Sequence, residues 1–152
     1  MRLSMKKFLK IIGILGVVIV LAIGLLVALF FHEKAKYART AVPYIQEVVP
    51  EIAANWDPAV ARHHFASWAL DQAPPGDMEK IFKFLSKLGK LKRLGDPSLR
   101  SIYYHAGVGT IISYAVDATF DAGEAMISVG VLDDGHNLSI VSFYINSMAL
   151  VQ

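Results

Sequence analysis

Residues 110–120 read Thr-Ile-Ile-Ser-Tyr-Ala-Val-Asp-Ala-Thr-Phe. Ile112, Tyr114, Val116, Ala118 and Phe120 fall on one side of the alternation. Ile111, Ser113, Ala115, Asp117 and Thr119 fall on the other. A period of two belongs to a β-strand with one face in a core and one nearer water. Downstream, Asp121-Ala122-Gly123-Glu124 reads as a short turn, and Ala125–Leu132, rich in Ile and Val, as a second strand. Asp133-Asp134-Gly135-His136-Asn137 reads as a hairpin turn, with Gly135 free to adopt positive φ. Leu138–Leu150 is expected as a third strand, with Val141, Phe143, Ile145 and Ala149 on one face. Ser101–Tyr104 reads as a shorter fourth strand.

Upstream the period lengthens to that of a helix. Tyr44–Ala54 reads as a helix beginning at a joint marked by Pro43 and kinked or restarted at Pro50. Asp57-Pro58 is a start signal, since Asp accepts from the orphan amides and Pro takes the first helical position. That helix is expected to reach about Leu70, with Ala61, Phe65 and Trp68 on one stripe, before Ala73-Pro74-Pro75-Gly76 ends it. Asp77 then caps a helix from Met78 to about Leu88. Ile81, Phe84 or Leu85, Leu88 and Leu91 form its apolar face, and Lys80, Lys83, Lys87 and Lys90 line the other side. Helices first and antiparallel strands last predict an α+β domain, with helices packed on a curved sheet of three to four strands.

The remaining feature is apolar. Of the 152 residues, 55% are hydrophobic, above the roughly 45–50% of soluble domains. The excess is local, because Ile11–Phe31 holds no charge. At about 1.5 Å per residue that stretch matches a hydrocarbon core of about 30 Å. A cleaved signal peptide has a shorter apolar region and a small-residue cleavage site, and Phe30-Phe31-His32-Glu33 offers none. The expected organisation is a cytoplasmic tail (1–10), a transmembrane helix (11–31), a helical stalk or linker (32–42) and an extracytoplasmic domain (43–152). Arg2, Lys6, Lys7 and Lys10 precede the span; Lys34, Lys36 and Arg39 follow it. The positive-inside rule and the short tail then place the N-terminus inside, which in a bacterium puts the domain in the periplasm. Gly16, Gly24 and Ala28 share one face of the span, a small-residue surface through which a homo-oligomer can form.

Residues 32–152 carry 11 basic and 13 acidic groups, a net of −2. A nucleic-acid-binding domain is basic in its own right, so no nucleic-acid partner is expected. The chain has no cysteine, which excludes disulfides, zinc-thiolate and iron–sulfur sites and a catalytic thiol.

The element order, closing on Ser142-Phe143-Tyr144-Ile145-Asn146-Ser147, resembles the cystatin-like and nuclear-transport-factor-2-like cone folds. More narrowly, it resembles small membrane-anchored bacterial proteins with such a domain. The resemblance covers about Pro43 to Gln152. It implies a sheet wrapped on helices and a superfamily that includes enzymes with a pocket Asp as well as proteins that only bind or assemble. No catalytic motif of those enzymes matches here, so no catalytic residue is assigned.

Asp117 is the charged residue of a strongly apolar strand. It reads either as a pocket carboxylate, completed by Tyr114 and His105, or as a polar residue on the wet face of the sheet. His63-His64 are adjacent, so they point about 100° apart and do not share the face that a helical metal site needs. No metal site or cofactor is expected. Between Lys80 and Arg100 there are seven basic residues and one acid, Asp96; beyond Ser101 there is no Lys or Arg. Lys80, Lys83, Lys87 and Lys90 are therefore the candidate binding surface, for anionic lipid or an acidic protein. The leading expectation is a membrane-anchored accessory or assembly protein whose outer domain binds another protein. A periplasmic binder of a small apolar ligand or lipid, and a small hydrolase or isomerase using Asp117, are the alternatives.

Overall fold

A computed structural model describes residues 5–151, without the side chains of Lys6 and Phe8; Arg2 and Gln152 lie outside the described residues. The protein is α+β. Helix α1 (Met5–Asn55) is followed by α2 (Pro58–His64), α3 (Ser67–Asp71) and α4 (Asp77–Leu85). The strands are β1 (Leu91–Leu94), β2 (Ser98–His105), β3 (Gly109–Phe120), β4 (Gly123–Asp133) and β5 (Leu138–Asn146). Two compact units divide the chain at Ala38/Arg39.

In the first unit the helix leaves its large apolar side chains from Leu9 to Phe31 uncovered. Leu21 is 67% exposed and Phe31 63%. A helix of this length and composition fits a membrane anchor.

The second unit holds the sheet. Strands β3, β4 and β5 run antiparallel in that order, and β1 and β2 lie end to end along the other side of β3. The sheet therefore has five strands rather than three or four. The additional one, β1, is Leu91-Lys92-Arg93-Leu94, too short and too charged to alternate. Strand β2 is also longer than Ser101–Tyr104.

The face read from the alternation is buried, and so are Ile111 and Ala115 of the other face, where Ile111 packs in a small cluster with Ala66 and Leu132. Ile112 and Val116 are fully enclosed, as are Ile127, Val129 and Val131 of β4. The hairpin forms as its sequence suggests: Gly135 has φ 88°, and the Asp134 carboxylate accepts from the amides of His136 and Asn137 at 2.8 and 2.7 Å.

Three helical expectations are corrected. Pro43 and Pro50 lie inside α1 rather than at a joint or restart. Each removes a backbone bond at a cost of about 3 kcal/mol in a helix interior. Ala41, Ile45, Val48, Val49, Ile52 and Ala53 are all buried, and enclosing each large aliphatic side chain stabilises by about 1.5–3 kcal/mol, which outweighs that cost. The helix expected to reach Leu70 stops at His64. Phe65 makes a parallel bridge to Ile140, and the Ala66 amide donates to the Ile140 carbonyl at 2.8 Å. The chain thus leaves the helix to touch the edge of β5 and resumes as α3. Finally, α4 buries Phe82, Leu85 and, in the 3-10 turn that follows, Leu88, while Ile81 and Phe84 are 53% and 44% exposed.

Strand β5 ends at Asn146, not Leu150. The buried Ser147 hydroxyl donates to the Glu124 carbonyl at 2.7 Å and accepts from Ala149, so the chain turns into a 3-10 segment. A bulge opposite Gly130 and Val131 shifts the register within β5, and Phe143 is half-buried rather than enclosed.

Trp56 closes the core. Its φ of 51° ends α1, its indole N–H donates to the Gly89 carbonyl at 3.0 Å, and its ring lies 6.3 Å from Phe82 and 5.7 Å from Phe120. Trp56→Ala is expected to destabilise the protein by about 3–5 kcal/mol. Phe143→Ala should cost clearly less, because the site is already open to water. Thermal unfolding of the two variants side by side tests this ranking, and an equal loss would contradict the burial described.

Candidate functional site

Three surfaces of the second unit bear on function. The first surrounds Asp117. Strand alternation puts Asp117 on the outer face, exposed, and Tyr114 on the core face, 3% exposed. His105 is at the far end of β2, paired in register with Gly109. The three are not brought together. Burial raises the Tyr114 hydroxyl above its ordinary pKa, as expected for a phenol turned toward a core.

Asp117 instead lines an open hollow of about 540 Å³ with Arg93, Glu124, Met126, Asn146 and Met148. The register explains this grouping. Arg93 pairs with Thr119, and Thr119 with Glu124; Asp117 pairs with Met126, and Met126 with Asn146. Arg93 donates weakly to the Thr119 hydroxyl at 3.4 Å. Among the described residues Asp117 and Glu124 have no ion-pair partner, and no three His, Asp or Glu side chains converge on a metal-sized point.

His63 is exposed. His64 is half-buried, 3.0 Å from the Glu51 carboxylate, and its carbonyl accepts from the Tyr44 hydroxyl at 3.4 Å. These contacts hold α2 to α1, a structural role.

The second surface is basic. Lys80 and Lys83 are on α4, Lys87 is in the 3-10 turn, and Lys90 follows the Gly89 bend. Lys80 is 3.8 Å from Asp77; Lys83, Lys87 and Lys90 have no ion pair among the described residues. Gly89 has φ 76°, and a Cβ there would meet the Asp121 side chain at 2.7 Å. Asp121 fastens this bend: its carboxylate accepts from the Lys90 amide at 2.8 Å and lies 3.4 Å from the Lys92 ammonium.

The third surface was missed from the sequence. Phe65, Leu70, Met78, Ile81, Phe143 and Tyr144, with neighbours, line an apolar groove of about 270 Å³ between α3, α4 and β5. The Arg62–Glu79 ion pair lines an adjoining hollow that shares Leu70, Ala73, Pro74 and Met78 with the groove. The available signal was negative: residues 138–152 contain no charged side chain. No protein-family model matches the chain, and no curated protein is found similar to it.

The amide of Lys90 first, then Lys92, holds the Asp121 carboxyl below the ordinary aspartate value of 3.8. A carboxylate with a lowered folded-state pKa stabilises above its unfolded value and loses that contribution as pH falls through the folded one. Asp121→Ala is therefore expected to lower the melting temperature at neutral pH, with the gap to the parent closing as pH falls below 3.8. A gap constant with pH would mean the charge contributes nothing.

Proposed function

We propose that the chain is a single-pass, membrane-anchored accessory or assembly protein whose extracytoplasmic domain binds another protein. The free edge of β5 carries this reading. Sheet edges are normally guarded by Lys, Pro, bulges or a covering segment. Phe65-Ala66 covers β5 at Ile140, and the bulge lies beside it. From Ser142 to Asn146 there is neither charge nor Pro, and Tyr144 is 71% exposed. An extended partner segment can pair with such an edge through its backbone, while alternate side chains enter the adjoining groove. The cone-fold resemblance, whose members include binding and assembly proteins, supports the same reading.

A small apolar ligand or lipid in that groove is the second reading. The groove is mostly apolar, but its volume of about 270 Å³ is just below the roughly 300–1,000 Å³ usual for ligand sites. Chemistry at Asp117 ranks third, because that carboxylate is exposed and separated from Tyr114 and His105.

The proposed orientation has the N-terminus inside the bacterial cytoplasmic membrane and the domain in the periplasm, from the Lys and Arg bias around Ile11–Phe31. A reporter active only outside the cytoplasm, fused after Gln152, should work; activity of a cytoplasm-only reporter there would reverse the orientation.

The intact protein purified in mild detergent should retain a partner that Tyr144→Lys loses. Such an exposed substitution should move stability by no more than about 0.5 kcal/mol. Equal recovery by the folded variant would remove β5 from the interface.

A further inference from the structure

We infer that the outer face of α4 and the turn after it form a docking surface for an anionic lipid headgroup layer. This goes beyond the protein-binding reading and rests on different residues. Phe82, Leu85 and Leu88 hold this segment in the core. Of the exposed side chains, Ile81 lines the groove beside β5 and Glu79 pairs with Arg62; Lys80, Lys83, Phe84 and Lys87 are left, with Ser86 among them and Lys90 just beyond. Phe84 is 44% exposed and lies between Lys83 and Lys87; the Lys87 ammonium is 5.1 Å from its ring centroid. A large apolar side chain flanked by unpaired lysines is the composition of a helix that rests at a membrane interface: the ring enters the headgroup–acyl boundary and the ammonium groups meet lipid phosphates.

Charge complementarity sets the sign of the partner, and residue type favours its class. The four basic side chains of this surface, Lys80, Lys83, Lys87 and Lys90, are all lysine, while Arg93 lies apart from them in the hollow beside Asp117. Protein interfaces are depleted in Lys and enriched in Arg, whose planar fork gives directional pairing. Lysine supplies a compact charge on a flexible stem, which suits a fluid layer of phosphates with no fixed geometry. The first unit fits a membrane anchor, so a lipid surface is the partner that the chain's own sequence brings within reach.

The test uses the full chain reconstituted in vesicles of phosphatidylcholine alone or mixed with phosphatidylglycerol. A membrane-impermeant acylating reagent modifies exposed lysines, and mass spectrometry reads the rate at each one. Acylation of Lys83 and Lys87 is expected to slow several-fold in the anionic vesicles and to recover as salt is raised past the screening range. Phe84→Ser should abolish the slowing while leaving the melting temperature nearly unchanged. Equal rates in the two vesicle types would overturn the inference. So would slowing that appears only when other membrane proteins are added, which would assign the surface to an acidic protein. Tyr144→Lys should leave these rates unaltered, so failure here and failure at the β5 edge are separable.

Discussion

Trp56 occupies a backbone conformation that costs an L-residue roughly 1–2 kcal/mol, and its position explains why the protein tolerates this. A glycine would end α1 with less strain but would bring no side chain. The indole reaches three elements at once: its N–H bonds to Gly89, and its ring packs beside Phe82 of α4 and Phe120 of β3. Gly89 belongs to the bend joined to the β3–β4 turn, where Ala122 donates to Leu88 and Asp121 to Lys90, both at 3.0 Å. The end of the long helix, the exit from α4 and one end of the sheet are thus fixed at one point. The basic surface depends on this arrangement, because burial of Phe82 instead of Ile81 sets which face of α4 meets water.

The same dependence runs through α1. Its prolines are unfavourable locally and acceptable only where neighbouring side chains are enclosed. Ile45 and Ile52 are buried almost completely, so helical geometry is imposed by the core rather than by propensity. The break after His64 shows the reverse case. A continuing helix would leave the outward-facing Ile140 carbonyl without Ala66, and the chain gives up helical bonds to make that pairing.

How far the fold could be read follows from which signals are local. The β3 alternation was legible because Ile112 to Phe120 are apolar on one face while Ser113, Asp117 and Thr119 interrupt the other, and the β4–β5 turn because Asp134 and Gly135 act within their own loop. That Ile111 and Ala115 of the second face are buried too was not legible. The apolar helix was legible from length and the lack of charge. Strand β1 was not, since Leu91–Leu94 has two charges in four residues. The buried face of α4 was ambiguous because Ile81, Phe82, Phe84 and Leu85 are all apolar; a distant tryptophan decides among them. Of the candidate residues, the exposure of the four lysines was legible, but not that Lys87 and Lys90 leave α4 for the 3-10 turn and the bend after it. Asp117, Tyr114 and His105 were chosen by residue type, although the alternation already put Asp117 and Tyr114 on opposite faces. The groove was illegible because α3, α4 and β5 meet only in the folded domain.

The β3–β4 hairpin pairs residues from Phe120 with Gly123, three positions apart, outward to Thr110 with Asp133, so it can close by zipping from its turn, each pair adding a small loop to the last. The buried stripe of α1, from Ala41 to Ala53, has no such local partner. During synthesis it emerges well before Phe120, and at ordinary elongation rates the strands that share its core follow seconds later. For that interval its apolar stripe has no sheet to cover it. Dependence of productive folding on elongation rate, or on a chaperone that shields α1, follows from placing the helix first and the sheet last.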